Sequence, residues 1–290
     1  MKLITLFEHQ FLSFDDIGLT RDNQIWDILD SLNSSTGQEL IHVERKGIRA
    51  REHVGVIQID NVSIQILPKV DWVGDTNARY DSTPYKQASG SAIENLIFLL
   101  SYAYDLRVSE LELSSLSSSL RNWFEILTRI FANDLHHQVM MGMSQNYVSL
   151  EETLPVLRGR WDIQNQIIHR PFQKHAFDVK YDEFSADISL NKIFKWVVNQ
   201  LLTLSTDRTN LTYLGDLQEW FAPVSFLPQN PQALVEEITF SRLNERYKPA
   251  FNLARIFLGS RSIQLTVGEN RGFAFLVDMN QLFEKFLTRF

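Results

Sequence analysis

Two short apolar runs, separated by a single pair of turn-forming residues, constrain the fold of this chain most strongly. Residues 54–59 and 62–67 are rich in Val and Ile, and Asp60-Asn61 separates them. Asn and Asp tolerate the positive φ that a tight hairpin turn requires, so this spacing predicts a β-hairpin, which Pro68 ends. Similar apolar runs elsewhere in residues 1–73 predict that this whole region is rich in strands.

After this region, a polar stretch leads into segments with helical periodicity. Residues 74–91 contain almost no aliphatic side chain and are predicted to form a projecting loop. The clearest helix is 187–203, where apolar residues recur every 3.6 positions and Asp187 is placed to cap the N-terminus. Other helices are predicted at 24–32, 93–106, 120–141, 247–258 and after a cap at Asp278, and further strands at 146–154, 263–267 and 273–277. Residues 158–181 have no clear pattern.

Composition and charge narrow the class of protein. The 290 residues are 44% apolar and 22% charged, which is ordinary for a soluble globular chain, and no apolar run is long enough for a membrane helix. Because there is no cysteine, a disulfide framework and a thiolate zinc site are excluded. No signal peptide is recognised, so a cytoplasmic protein is expected. The formal charge of −7 means that any DNA contact must come from a local basic patch.

Common catalytic motifs are absent from the sequence. It contains no G-x-x-x-x-G-K-[ST], no G-x-G-x-x-G, no H-E-x-x-H and no G-x-S-x-G. Each histidine is expected to serve an ordinary structural role, and no metal site is predicted.

One pattern is compatible with a metal-dependent nuclease. Asp178 and Lys180 form a D-x-K pair, and Asp162 lies 16 residues before Asp178. Two carboxylates could hold Mg²⁺ while the lysine orients a water molecule. However, D-x-K is short enough to occur by chance, so a solvated strand face is the favoured interpretation.

The same region is the most basic part of an acidic protein. Its cations are Arg158, Arg160, Arg170, Lys174 and Lys180. They could meet a phosphate backbone or an acidic partner, or they could form a structural network with the carboxylates nearby. The sequence favours neither interpretation.

Three blocks of sequence form a pattern between about residue 40 and the end of the chain. The first block contains Leu157, Gly159-Arg160, Arg170-Pro171, Tyr181, Asp182, Glu183, Asp187 and Leu190-Asn191. The second block comprises residues 55–58 and 64–69. The third, residues 275–284, contains Asp278, Asn280 and Glu284 in a D-M-N-x-L-F-E motif. In content and order these blocks resemble the McrC family, the nuclease subunits of the McrBC modification-dependent restriction systems.

The resemblance implies an α+β protein that assembles with an AAA+ partner, McrB. Its parts would be a β-rich docking region (1–91), a mainly helical middle domain (92–259), and the opening strand and helix of a PD-(D/E)xK-type nuclease domain (260–290). GTP and the reader of modified DNA would belong to the partner hexamer, with DNA bound in the assembled complex and no membrane involved. Mg²⁺ would belong to the complete nuclease.

The resemblance also implies that the metal-binding strands follow the D-M-N-x-L-F-E motif. The sequence extends only six residues past Glu284, so we expect the nuclease core to be missing and Glu284 to mark only the border of the active site. The last helix is expected to pack elsewhere, self-associate or fray. We therefore expect a subunit that docks on the GTPase and stimulates it, with Arg79 and Lys86 of the 74–91 loop as candidate contacts. The alternatives are a free-standing Mg²⁺ nuclease using Asp162, Asp178 and Lys180, and a DNA-binding scaffold.

Overall fold

The computed structural model describes residues 2–17, 33–34, 39, 41–51, 53–59, 62–69, 79–80, 82–106, 122–170, 175–227, 231–259, 263–267 and 270–288. The predicted helix at 24–32, the turn residues Asp60-Asn61, the first part of the predicted loop and Lys174 lie outside these ranges.

Strands and helices occur in runs along the described chain. The strands are β1 (Lys2–Phe7), β2 (Phe11–Ser13), β3 (Ile41–Glu44), β4 (Gly47–Ala50), β5 (Val54–Ile59), β6 (Val62–Leu67), β7 (Asn146–Leu154), β8 (Arg160–Trp161), β9 (Phe177–Ser185), β10 (Ile263–Val267) and β11 (Asn270–Val277). The α-helices are α1 (Phe14–Ile17), α2 (Thr83–Tyr104), α3 (Trp123–Met140), α4 (Ile163–His169), α5 (Ser189–Leu204), α6 (Arg208–Trp220), α7 (Gln232–Val235), α8 (Lys248–Gly259) and α9 (Met279–Thr288). The α+β class predicted from the sequence is confirmed.

The predicted hairpin forms the centre of a five-stranded sheet with the order β1-β6-β5-β11-β10. β5 and β6 pair antiparallel, with Ile59 opposite Val62, as the sequence predicted. β1 lies parallel to β6. Alternation along β5 sends Val54 and Val56 into the core beneath the helices, and Ile57 into a second core on the other face.

That second core lies between the five-stranded sheet and a small sheet of order β2-β4-β3. Ile4, Leu6, Ile64 and Ile66 supply the large sheet's side of it, and Ile48 is among the small sheet's residues there. The large sheet therefore has one face covered by strands and the other by helices α2, α3 and α8.

The C-terminal strands do not stand apart from the N-terminal region. β11 pairs antiparallel with β5, with Phe275 opposite Val56 and Val277 opposite Val54, and Phe275 packs against Trp123 of α3. This pairing differs from the predicted division into three consecutive units, because residues 270–277 complete the N-terminal sheet. Strand pairing over such a sequence separation has no local signal in the sequence.

The loop predicted at 74–91 is corrected by the structure, because helix α2 already begins at Thr83. Ser82 caps this helix by accepting a hydrogen bond from the backbone N–H of Tyr85, and Pro84 lies in the first turn. The stretch lacks aliphatic residues, but Tyr85 and Ala88 provide its buried face. An aliphatic count therefore missed the part of the helix that precedes residue 93.

Two helix starts were predicted to be capped by aspartate, and the structure bears out only one. Asp278 Oδ1 accepts hydrogen bonds from the N–H groups of Asn280 and Gln281, so Asp278 caps α9. At α5 the N-cap is Ile188, with no side-chain cap bond. Asp187 binds another segment instead, as described below.

Helix α9 packs against the C-terminal part of α2, which is the first of the three predicted alternatives. The rings of Phe286 and Tyr102 lie 5.0 Å apart, and Lys285 Nζ donates to the hydroxyl of Tyr104 at 3.1 Å. Met279 and Leu282 are buried on the same face of α9.

Candidate functional site

Residues 146–185 form an arm on the helical core, and it contains most of the residues that the sequence analysis singled out. The arm consists of β7, β8, α4 and β9, with strand order β7-β9-β8. β7 and β9 pair over nine residues, from Asn146 opposite Ser185 to Leu154 opposite Phe177. These elements pack chiefly against one another. The arm therefore leaves the core and returns to it at adjacent points.

Two side chains from the resemblance hold the root of the arm. Asn191 of α5 is fully buried, and its Nδ2 donates to the backbone carbonyl of Ser144, just before β7, and to that of Ala186, just after β9. One amide thus joins the two ends of the arm to α5.

The second is Asp187, which fixes the start of α5 to a distant loop. Its carboxylate accepts from the N–H of Ser225 at 2.8 Å and from Ser225 Oγ at 2.7 Å, and Lys192 Nζ lies 3.2 Å away. Burial raises the pKa of Asp187, but the Ser225 hydrogen bonds and the Lys192 ammonium outweigh burial and hold that pKa below its usual value.

In the nuclease alternative, Asp178 and Lys180 lie on β9 and Asp162 follows β8, but basic side chains pair with both carboxylates. Asp178 Oδ1 accepts from Thr153 Oγ1 at 2.7 Å and lies 3.2 Å from a guanidinium nitrogen of Arg170. Lys180 Nζ bridges Asp162 at 3.1 Å and Glu151 at 2.6 Å. These contacts are those of a structural ion network.

Asp162 has a second structural role. Its carboxylate caps α4 by accepting from the N–H of Asn165, and this bond, together with Lys180, holds the pKa of Asp162 below its usual value. The two carboxylates beside Lys180 raise the pKa of its ammonium group. Within the described ranges, no group of three or more His, Asp or Glu side chains is placed to hold a metal ion. The donor set at Asp162 and Asp178 therefore does not fit a Mg²⁺ site.

Arg158 belongs to the same kind of network on the opposite face of the sheet. Its guanidinium lies 4.0 Å above the ring of Tyr181 and 3.6 Å from Glu183. The Tyr181 hydroxyl donates to Glu152, and this hydrogen bond raises the pKa of the phenol. Two of the predicted cations, Arg158 and Arg170, are thus paired within the arm, while Arg160 lies opposite Lys180 in the β8–β9 register.

Gly159 allows the chain to enter β8. Its φ is +68°, and a Cβ at this position would lie 2.5 Å from Cβ of Tyr181 and 2.6 Å from the carbonyl oxygen of Lys180. Only glycine combines an easily accessible positive φ with the absence of a Cβ atom. The glycine of the Gly159-Arg160 motif is therefore explained by close backbone approach.

The end of the arm carries exposed apolar side chains, of which the sequence analysis named only Leu157, as part of the resemblance. We call them the tip cluster: Val156, Leu157, Ile163, Ile167 and Ile168. Val156 is 69% exposed, and Ile167 and Ile168 are each 63% exposed. In the sequence these residues look like core residues, and only the structure shows that nothing described covers them. Large apolar side chains grouped on a projecting element are typical of a protein interaction site.

The remaining predicted site residues lie away from the arm. Arg79 is exposed and precedes α2, and Lys86 is exposed in the first turn of α2. Asp182 is exposed on β9, opposite Ser149. Glu284 is exposed on α9, where Asp278 and Asn280 form the capped first turn.

Comparison with known proteins matches the chain to one family model and to chains in two solved structures. The model of the family described as "McrBC 5-methylcytosine restriction system component" matches residues 48–290. The cryo-EM structure of the Thermococcus gammatolerans McrBC complex contains a chain that is 27% identical, with a TM-score of 0.67, and the match covers 99% of this chain and 86% of that one.

A second structure is a half-complex from the tetradecameric assembly of T. gammatolerans McrB AAA+ hexamers with bound McrC. It contains a chain that is 28% identical, with a TM-score of 0.68, and the match covers 99% of this chain and 69% of that one. No curated protein sequence matches the chain. Among the described residues, no helix has the length and apolar character needed to cross a membrane.

Proposed function

Because the chain belongs to the family of McrBC 5-methylcytosine restriction system components, we propose that it is the McrC-like subunit, which docks on a GTP-hydrolysing AAA+ hexamer and stimulates GTP hydrolysis. The fold supports this role, since one of its relatives comes from an assembly of McrB AAA+ hexamers with bound McrC. GTP would bind to the partner, in agreement with the absence of a phosphate-binding loop motif from these 290 residues.

The arm is the docking element in this proposal, and the tip cluster is the observation that carries it. Burying one large aliphatic side chain contributes about 1.5–3 kcal/mol, so an apolar group of this size can support a stable interface. The sequence analysis had placed the contact in the 74–91 loop, but residues 83–91 of that stretch are helical. The arm is better suited because both of its ends are held by Asn191, which lets it project as a preformed unit.

DNA would be engaged by the assembled complex, and the partner would read the modified base. No cleavage step is assigned to the described residues, because their candidate carboxylates, Asp162 and Asp178, are occupied by Lys180 and Arg170.

The experiment that tests this proposal measures GTP turnover by the cognate AAA+ partner with and without the purified chain. The informative variant is Ile168→Asp, which places a charge in the tip cluster. Its matched control is Leu243→Asp, because Leu243 is also apolar, is 88% exposed and lies outside the arm. We expect Ile168→Asp to abolish stimulation and co-elution with the hexamer, and Leu243→Asp to retain both.

A second variant separates docking from folding. Residues 147–184 are replaced by a short Gly-Ser linker, which is feasible because Asn146 and Ser185 are paired neighbours. The shortened chain should keep a cooperative unfolding transition and lose stimulation. If the wild-type chain neither stimulates GTP turnover nor co-elutes with the partner, the proposed function is wrong. If stimulation survives loss of the arm, the docking element lies elsewhere.

A further inference from the structure

Apolar packing of the arm itself does not fix the direction in which it leaves the core. Among the arm's described residues, none belongs to either of the two apolar cores. Two short connections join it to the rest of the fold, residues 141–145 before β7 and residues 186–188 after β9. We call them the leading leg and the trailing leg. The contacts that set the arm's direction are therefore those made by the two legs.

The leading leg is held by the turn that leads into α8. The guanidinium of Arg246 donates to the backbone carbonyls of Met141 and Gly142. The hydroxyl of Tyr247, a fully buried side chain, donates to the carbonyl of Gly142 at 2.6 Å. Both donors lie in a single turn of 3₁₀ helix, Glu245–Tyr247, just before α8. The start of the arm is thus tied to α8.

The trailing leg is held by the loop after α6. The carboxylate of Asp187 accepts from the N–H and the hydroxyl of Ser225. This loop is fixed in turn, because Lys195 Nζ of α5 donates to the carbonyls of Ala222 and Val224. The end of the arm is thus tied to a loop that α5 holds in place.

These contacts hold the legs at separate points. Asn191 joins both legs to α5, but a body held at one point can still turn about it. Arg246 and Asp187 hold the two legs on different elements, so a rotation of the arm would break one contact or the other. Met143 and Ile188 also seat the legs on the helical core, but an apolar contact has no preferred direction. The directional restraint therefore comes from Arg246 and Asp187.

We propose that Arg246 and Asp187 are positioning residues, which set the direction of the arm and thereby its docking on the AAA+ hexamer. The inference rests on the proposed function, in which the arm is the docking element. A preformed, correctly directed element loses less conformational freedom when it binds. If the arm pointed in the docking direction for only about one tenth of the time, its apparent Kd would rise about tenfold.

The first measurement needs no partner. The chain contains no cysteine, so Gln164→Cys on α4 and Ser91→Cys on α2 take spin labels at these two sites alone. Both positions are exposed, one on the arm and the other on the core. Pulsed electron spin resonance gives the distribution of the distance between the labels. Its width measures how widely the arm moves relative to the core.

The test variant combines Asp187→Ala with Arg246→Met. Methionine keeps an aliphatic side chain beside the ring of Tyr247 and removes the guanidinium donors. The matched control combines Asp15→Ala with Arg242→Met, which removes the same two side-chain types from exposed positions outside both legs. If the double variant loses its cooperative unfolding transition, the two single variants are measured in its place.

We expect one narrow distance distribution for the wild type and the control, and a broad one for the test variant. The second measurement is GTP turnover by the partner as each chain is titrated. For the test variant, the concentration that gives half-maximal stimulation should rise about tenfold. The maximal stimulation at saturation should equal that of the wild type, because the tip cluster is intact.

Several outcomes would overturn the inference. A narrow distribution in the test variant, or a broad one in the wild type, would show that these two residues do not direct the arm. A broad distribution with an unchanged half-maximal concentration would show that the arm's direction has no part in docking. If the wild-type chain neither stimulates the partner nor co-elutes with it, the proposed function fails and the docking role of Arg246 and Asp187 fails with it. The label distances still decide whether the two residues direct the arm.

Discussion

Asn191 donates a hydrogen bond of 2.8 Å to the carbonyl of Ser144, 47 residues earlier in the chain. The same amide group also binds Ala186, so a single buried side chain joins the start and the end of the arm. The asparagine of the Leu-Asn pair that resembles the McrC family thus has a structural role at the root of the arm.

The first prediction concerns this amide. Asn191→Ala removes both hydrogen bonds and leaves two backbone carbonyls with poorer partners, which should lower the free energy of unfolding by about 2 kcal/mol. Urea denaturation measures the change. Asn199→Ala on the same helix is the control, because within the described ranges the Asn199 side chain accepts one hydrogen bond, from the exposed Gln218. Its loss should cost about 0.5 kcal/mol or less. Equal effects of the two changes would contradict this account.

The second prediction concerns Asp187 and pH. Its pKa is below the usual 3.8 in the folded protein, so its ionised form stabilises the fold. The contribution is complete above the unfolded pKa and is lost as the pH falls through the folded pKa. Thermal unfolding of wild type and Asp187→Asn should therefore differ most near neutral pH and converge as the pH falls well below about 4. A difference that stays constant down to the lowest pH would show that the charge of Asp187 is not responsible.

The third prediction concerns Glu125, a buried carboxylate that the sequence analysis did not identify. It accepts from Ser205 Oγ, from the N–H of Thr206 and from Asn210 Nδ2, each at 2.7 Å. Glu125→Ala should lower the free energy of unfolding by about 3 kcal/mol, because these buried donors lose their acceptor. Glu219→Ala, at an exposed position on α6, should change it by about 0.5 kcal/mol or less. Chemical denaturation measures the free energy of unfolding of both variants. If Glu125→Ala lowers it by no more than Glu219→Ala does, the prediction is wrong.

The fourth prediction uses two glycines with opposite surroundings. Gly159→Ala should strain the β8–β9 pairing, since φ is +68° and the added methyl would meet Tyr181 and the Lys180 carbonyl. Gly215→Ala in helix α6 adds a methyl group with nothing within 4 Å, so it should stabilise the protein by about 0.5–1 kcal/mol. Hydrogen exchange should show faster exchange in β8 and β9 for Gly159→Ala alone. Unchanged protection there would show that the backbone absorbs the methyl group.

Local patterns in the sequence were sufficient to predict several secondary-structure elements. The Asp60-Asn61 spacing predicted the β5–β6 pairing, and 3.6-residue periodicity located α5 and α8, because these signals come from residues close in the chain. The cap at Asp278 was predicted for the same reason. The cap assigned to Asp187 was wrong, because Ser225, 38 residues away, provides better donors for that carboxylate.

The linear order of amino acids was enough to assign the chain to its class and family, since strand alternation, helical periodicity and the motif blocks are all read over short distances. Only the folded chain decided that β11 joins β5, that Arg170 pairs with Asp178 and Lys180 with Asp162, and that the isoleucines of α4 face outward. Whether a side chain is covered, or a charge paired, depends on segments that are distant in sequence. Burial and charge pairing are therefore determined by tertiary packing, and no local sequence pattern predicts them.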